Sequence, residues 1–379
     1  MTASAAGELA VHGSRGIRLV RGAGALVWDE HGNEYVDCVS SNGAAILGHA
    51  HPHVTEALTR QAGTLSSVAG AFEHVQKDRL IERLVDLAPE GLTRVFFCNS
   101  GTEAVEAALK LARVATGRSK IVAAKRGFHG RTFGSMSVTF NPAQHALFAP
   151  VLGDCEFIAF NKTSDLDAAL DESVSALVLE LVQGEGGVYP AEQEFVSRAA
   201  SLCRRHGIVL IIDEVQTGFG RTGKMFACEH YAVEPDIMCL AKGIAGGFPM
   251  GAVLVRDELA FPPGSHGSTF GGSPLACAVA NAVLDVLTAG RLIDDVADKG
   301  DRFRESLPLP TRGLGLMVGV PLREPARPFL PLLADKGVLG LTAGKKVLRF
   351  LPPLIVSEGE LARVAAAMRA VLPADDAPV

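Results

Sequence analysis

The chain has no apolar run longer than a strand, so no segment reads as a membrane-spanning helix. Its opening, MTASAAGELAVHGSRG, lacks a basic start and an apolar core and does not read as a signal peptide. Positive charge is not in excess. A net charge of −6 removes the electrostatic case for a nucleic-acid or anionic-membrane partner. There is no C-x-x-C pair, and the cysteines are odd in number: Cys38, Cys98, Cys155, Cys203, Cys228, Cys239 and Cys277. Several sit inside apolar runs, which points to reduced thiols in a cytoplasmic protein rather than disulfides or a metal site. His49 and His51 are close together but have no third ligand near them, so no metal is assigned. Internal repeats and low-complexity segments are also missing. What remains is an ordinary globular composition, 48% hydrophobic and 21% charged, in 379 residues. That is enough chain for two domains or for one large domain with a satellite.

From Arg94 onward the pattern alternates between strand and helix. RVFFCN, KIVAAK, SALVLELV, the run after Gly207, the run from Asp236 to Ala241 and GAVLVR read as strands. A helix follows Ser100, and another covers 193–206. Strands separated by helices predict an α/β fold with a mostly parallel sheet covered on both faces. Before this, Ala25–Trp28 and Glu34–Val39 flank a turn, and HVTEALTRQAGTL reads as a helix. After Ser273 a long helix leads into strands RGLGLMVGVPL, GVLGLTAG and KVLRFLPPL, interleaved with two helices.

Ile208 to Ile212 is unbroken apolar sequence that ends in Asp213. In open α/β sheets the ligand crevice lies at the carboxyl ends of the strands. A buried carboxylate there needs a cation or donors. The next apolar strand delivers Lys242 to the same edge, followed by the glycine-rich GIAGGFPMG. A lysine so placed suits an amine of lowered pKa that forms a Schiff base. Such a lysine together with an acid partner is what pyridoxal phosphate requires. The plainer alternative is a salt bridge at the sheet edge and a surface lysine. Ser100, Gly101 and Thr102 lie between a strand and a helix, where free N–H groups and the helix dipole favour a phosphate; Ser100 with Glu103 also fits a simple capping box. Gly127-Phe-His-Gly130 allows close backbone approach, and Phe128 could stack on a flat ring or fill a turn. Arg131 could clamp a carboxylate, and Gln216 lies within reach of a cofactor beside Asp213. Glu185 sits on the QGEGG loop. Arg349 is an isolated cation in an apolar strand that wants a partner, with Glu185 the candidate.

Taken together, NSGTEAVEAALKLAR, GFHGRT, QGEGG, IIDEVQTGFGRTGK, the LAKG lysine and HGSTFGG resemble the class III, ornithine-type aminotransferases over nearly the whole chain. The resemblance implies the fold type I architecture of pyridoxal-phosphate proteins. It divides the chain into a strand segment at 1–44 that packs with the small domain, a large cofactor-binding domain at 45–285 and a small α+β domain at 286–379. It also implies roles. Lys242 is the Schiff-base lysine and proton shuttle, and Asp213 pairs with the pyridinium nitrogen. Gln216 approaches the ring oxygen, Phe128 stacks on the ring, and Ser100, Gly101 and Thr102 hold the phosphate. Thr269 is expected to reach the phosphate of a neighbouring subunit, so that the sites are shared in a homodimer. Arg131 holds the substrate α-carboxylate. Glu185 and Arg349 form a switch, paired for an ω-amine donor and parted for glutamate or 2-oxoglutarate.

Within the family the chain is similar to the acetylornithine branch, and TGRSKIVAAKRGFHGRT, SVTFNP and the C-terminal strands look closer to the lysine-biosynthesis members. Those act on substrates attached to a small acidic amino-group carrier protein. The implied reaction moves a terminal amine from an N-blocked ornithine or lysine to 2-oxoglutarate. Alternatives are a 4-aminobutyrate- or ornithine-type aminotransferase, or an aminomutase or decarboxylase of the same fold. A carrier would need a basic rim, for which Arg118-Ser-Lys120, Lys125-Arg126 and Lys345-Lys346 are candidates. The sequence departs from the family pattern at Leu181, where a proline is usual, and at Ser273, where an asparagine is usual.

Overall fold

The computed structural model describes residues 9, 11, 13–149 and 153–372. The opening segment read above for a signal peptide therefore lies largely outside the described residues.

A seven-stranded sheet runs in the order Leu92–Cys98, Gly251–Arg256, Ile237–Leu240, Val209–Asp213, Val174–Leu179, Lys120–Ala124, Cys155–Ile158. Gly251–Arg256 is antiparallel to both neighbours. The other adjacent pairs are parallel. Every residue of the three central strands is buried, which explains why their sequences are apolar without alternation.

The two-residue period still decides which face each side chain serves. Val209, Ile211, Ala176, Val178, Ile237 and Cys239 face one core, shared with Ala104, Ala108 and Leu111 of the helix Gly101–Thr116. Leu210, Ile212, Leu177, Leu179, Met238 and Leu240 face the other, with Phe195, Ala199 and Cys203 of Gln193–His206 and Val279 and Val283 of Pro274–Thr288. Burying one such Leu or Ile contributes about 1.5–3 kcal/mol, so both faces must be covered for the strands to stay in register. Gly207, at φ 61, ends its helix in the left-handed region and turns the chain directly into the Asp213 strand.

One expectation shifts. SALVLELV ends as a strand at Leu179, because the Glu180 carboxylate turns to accept the N–H groups of Phe128 and Gly184. The edge strand Cys155–Ile158 and the helix Val75–Leu87 carry no expectation above. The former is a four-residue, half-exposed strand interrupted by Glu156, too short to show a period.

The N-terminal strands Leu19–Ala23, Leu26–Asp29 and Glu34–Asp37 form a meander, and Val338–Leu339 pairs in parallel with Glu34–Asp37. The remaining C-terminal strands form an antiparallel sheet in the order Arg312–Leu314, Met317–Pro321, Val347–Phe350, Leu341–Ala343. Arg221 ties this unit to the loop after Asp213. Its fully buried guanidinium donates to the carbonyls of Leu316 at 3.1 Å and Pro352 at 2.5 Å. Arg221→Ala leaves a cavity and strands both carbonyls. It should lower the unfolding free energy by about 3–5 kcal/mol, read from urea titration.

Candidate active site

Strand polarity brings the chemistry to one edge. Asn99 follows one parallel strand, Phe128 and His129 follow another, and Glu180, Asp213 and Lys242 end or follow three more. The antiparallel strand contributes its amino end, so Gly247–Met250 reaches the same edge. Between them lies a cavity of about 570 Å³. Ser100, Gly101 and Thr102 line it, as do Phe128 and Arg131. So do Glu185, Asp213, Gln216 and Lys242. Arg349 stands behind this surface, and Thr269 is exposed and does not line the cavity of its own chain.

Asp213 is buried and twice bonded. Oδ1 accepts the N–H of Val215 at 3.0 Å, and Oδ2 lies 2.7 Å from His129 Nδ1. An ionised carboxylate only accepts, so Nδ1 is the donor. Burial disfavours the imidazolium, but the hydrogen bond to Asp213 and the charges of Asp213 and Glu180 outweigh it, and the His129 pKa is raised. The other ring nitrogen, Nε2, is buried with no partner among the described residues, and an added Cβ at Gly127 would sit 3.0 Å from it. Glu180 is pushed up to about 7, first by burial and then by Asp213, against the pull of His129 and its two backbone donors. His129, Glu180, Val215 and Asn42 line the site without having been nominated above. The contacts that tie them to the other walls of the site, His129 to Asp213 and Glu180 to Phe128, span 84 and 52 positions, so no local pattern announces them.

Lys242 starts a 3-10 turn at φ 45, in the left-handed region. Its pKa is lowered by burial and then by the charge of Arg349, against Asp213, Glu185 and Glu180. Arg349, 1% exposed, donates from Nη2 to Glu185 Oε1 at 2.5 Å and from Nη1 to Gln216 Oε1 at 3.2 Å. Gln216 Nε2 in turn donates to the carbonyl of Asn42 at 3.3 Å, and Asn42 belongs to a left-handed run Ser40–Gly43. A Cβ at Gly184 would meet Gln216 Oε1 at 2.0 Å, so any larger residue there would displace the Gln216 side chain.

Ser100 caps the Gly101–Thr116 helix and donates to Glu103 Oε2 at 2.7 Å, while Glu103 accepts the N–H of Asn99 and not that of Ser100, so the expected capping box is only half formed and the cap and the cavity wall share Ser100. The first-turn N–H groups of Gly101 and Thr102 have no acceptor within the helix. The Thr102 hydroxyl belongs to a cluster with Thr132 and Ser135, and Thr132 donates to Glu106 at 2.5 Å. A Cβ on Gly101 would lie 2.7 Å from Val215 Cγ1. Neither departure from the family pattern lines the cavity: Leu181 packs in the core, and Ser273 caps Pro274–Thr288 by accepting the N–H of Ala276, a task serine and asparagine share. Arg118 and Lys120 lie at the amino end of their strand, opposite the cavity. There Arg118 donates to the carbonyls of Val174 and His206, and Lys120 pairs with Glu156, which removes them as a rim. Lys125 and Arg126 follow the carboxyl end of the same strand.

These groups fit a flat, phosphate-bearing aldehyde. A helix N-terminus offers unpaired donors, Phe128 and Val215 offer apolar surface, Asp213 is an anion fixed by donors, and Lys242 is an amine driven toward its neutral form. Because Glu180 binds its proton more tightly folded than unfolded, it stabilises the cofactor-free protein below the usual glutamate pKa, and that contribution is lost as pH rises through about 7. Urea titrations from pH 5 to 8 should show wild type losing stability relative to Glu180→Gln as pH rises.

Residues 10–372 match the family described as aminotransferase class-III. The chain is 44% identical over 374 residues to a [LysW]-aminoadipate semialdehyde transaminase of Deinococcus radiodurans, covering 96% of this chain and 87% of that one. It is 42% identical over 369 residues to an acetylornithine aminotransferase of Aquifex aeolicus, covering 94% and 97%. Among solved structures, an ornithine aminotransferase of Toxoplasma gondii with partial occupancy of PLP at its active site superposes with a TM-score of 0.89 at 34% identity, covering 94% of this chain and 90% of that one. With a lysine, a fixed carboxylate and a helix N-terminus converging on one cavity, this protein belongs to the class III aminotransferases and takes pyridoxal 5′-phosphate as its cofactor.

Proposed function

We propose that this enzyme moves the terminal amino group of an N-blocked ornithine or lysine to 2-oxoglutarate, giving a semialdehyde and glutamate, as a step in arginine or lysine biosynthesis. The names of its relatives support the substrate class. The observation that carries the reading is the Glu185–Arg349 pair at 2.5 Å beside Lys242. An ω-amine donor brings no carboxylate to the reacting carbon, whereas glutamate brings one. A site that must take both in turn needs a buried cation that can be covered and uncovered, and Glu185, 41% exposed against 1% for Arg349, is the mobile half.

When bound, pyridoxal 5′-phosphate supplies the electron sink for charge developing at the substrate carbon. The chain's own groups do the rest. Lys242, kept toward the neutral amine by burial and by the Arg349 charge, is the group that would accept a proton from that carbon and give it back. Asp213, oriented by His129 and the Val215 N–H, presents a fixed negative charge to the ring nitrogen. Gln216 and Phe128 line the same cavity, where Gln216 would lie toward the cofactor's ring oxygen and Phe128 against a face of its ring. Ser100, Gly101 and Thr102 receive the phosphate, with backbone N–H groups as the main donors because the Thr102 hydroxyl is engaged with Thr132 and Ser135. Arg131, exposed at the mouth, holds the donor's α-carboxylate. Thr269 is exposed beside Phe270, itself 64% exposed, which supports a homodimer in which Thr269 serves the partner's phosphate. The seven free cysteines suit a reducing cytoplasm.

Lys242→Ala should lower kcat by at least about 10³-fold with an unchanged circular-dichroism spectrum. Glu185→Ala uncovers Arg349 and should raise the ratio of kcat/KM for glutamate over Nα-acetylornithine about tenfold, measured in separate half-reactions by the cofactor's absorbance. Equal loss in both half-reactions would remove the switch.

A further inference from the structure

Val188 holds a backbone conformation that suits its residue type badly. It is fully buried, and its φ of 56 lies in the left-handed region. A β-branched residue there is a genuine outlier, whereas glycine would carry no penalty. Such strain persists only where the surroundings over-determine it, and it collects at functional sites.

What holds Val188 is a slot in the C-terminal sheet. A Cβ on Gly319 would lie 2.8 Å from Val188 Cβ, and one on Gly313 would lie 3.1 Å from Val188 Cγ1. Val182, Met317 and Val347 belong to the same apolar cluster. Gly319 is the residue directly opposite Arg349 in the antiparallel pair of Met317–Pro321 and Val347–Phe350. Residues opposite one another in such a pair share a sheet face. Val188 therefore lands on the face that carries the Arg349 side chain, next to it.

The backbone joins the same valine to Glu185. Val182–Gln183 and Tyr189–Pro190 pair as a hairpin whose tip, 184–188, contains both residues. The Val188 N–H closes the tip by donating to the Gln183 carbonyl at 2.9 Å. The Gly344 N–H donates to the Glu185 carbonyl at 2.8 Å. Gly186 packs on the neighbouring loop, where a Cβ would come within 2.6 Å of the Arg126 carbonyl oxygen. The backbone that carries Glu185 is thus fixed to the sheet that carries Arg349. The Glu185 side chain, 41% exposed, is the part left to move.

We infer that Val188 is a positioning residue for the two-substrate site: wedged onto Gly319 in a left-handed conformation, it sets the reach of Glu185 to Arg349, so that the acid covers or leaves the cation by side-chain rotation with its backbone in place. The inference rests on the Glu185–Arg349 switch proposed above and deepens it by naming what fixes the distance. Glycine at 188 would adopt the same φ without strain but would leave the slot empty. The side chain, and not the backbone angle, is therefore what the site uses.

In the cofactor-loaded enzyme, Val188→Gly should raise the ratio of kcat/KM for glutamate over Nα-acetylornithine about threefold, in the direction of Glu185→Ala but short of it. In the Glu185→Ala background the same substitution should leave the ratio unchanged, because both act through one contact. Val188→Thr keeps the branched shape while burying a hydroxyl, so it should lower the unfolding temperature and retain the wild-type ratio. Gly319→Ala crowds Val188 from the other side and should shift the ratio as Val188→Gly does, which keeps the test open if that variant does not fold. In the cofactor-free protein, amide exchange at 184–188 should quicken about tenfold in Val188→Gly, while Met317–Pro321 and Val347–Phe350 exchange as in wild type. Equal loss in both half-reactions, a shift undiminished in the Glu185→Ala background, a ratio that tracks unfolding temperature across the variants, or unchanged exchange at 184–188 overturns the positioning role and leaves the switch standing. An unchanged ratio in Glu185→Ala alone overturns the switch and the positioning role with it.

Discussion

An ionised carboxylate at the end of a wholly apolar strand is unstable unless donors surround it, and the carboxyl edge of this sheet is arranged around that requirement. Asp213 takes one donor from the backbone of Val215 and one from His129. His129 is held in turn by its own N–H to Thr139 Oγ1 at 2.8 Å. Its imidazole and the Glu180 carboxylate then titrate against each other, with Glu180 tethered by Phe128 and Gly184. The two loops that supply Phe128 and Glu185 are thereby fixed relative to Asp213 through polar groups, while the strands beneath are fixed through apolar ones. Removing water from such a set strengthens every charge interaction within it.

The same logic governs the cationic side. Arg349 is almost fully buried, so its charge must be answered, and Glu185 and Gln216 answer it in this structure. The Arg349 charge, after burial, also depresses Lys242, so the anion that covers Arg349 bears on the basicity of that amine.

Much of this was legible in the sequence because it depends on strand ends. An apolar run closing on Asp213, another on Lys242, and a capping serine after a third strand fix three cavity walls with local information, since a parallel sheet delivers all its carboxyl ends to one edge. Leu181 and Ser273 look like departures, yet one fills the core and the other caps a helix, and neither task demands the usual residue. His129, Glu180 and Asn42 escaped because the contacts that tie them to the site lie far along the chain. The Arg118–Lys120 cluster failed as a rim for a reason the strand assignment already held: it begins a strand instead of ending one. Thr269 illustrates the opposite limit, being an exposed residue whose proposed partner is absent from its own chain.

Gln216 joins Asn42 to Arg349, across separations of 174 and 133 positions. A chain synthesised from its N-terminus can assemble the large sheet, with Asp213 and Lys242 in place, well before the strand bearing Arg349 has left the ribosome. Until that strand docks between Met317–Pro321 and Leu341–Ala343, Gln216 lacks its second anchor and Lys242 lacks the neighbouring charge that lowers its basicity. The cavity wall formed by Gln216 and Arg349 is thus completed late, by the last strand of the C-terminal sheet.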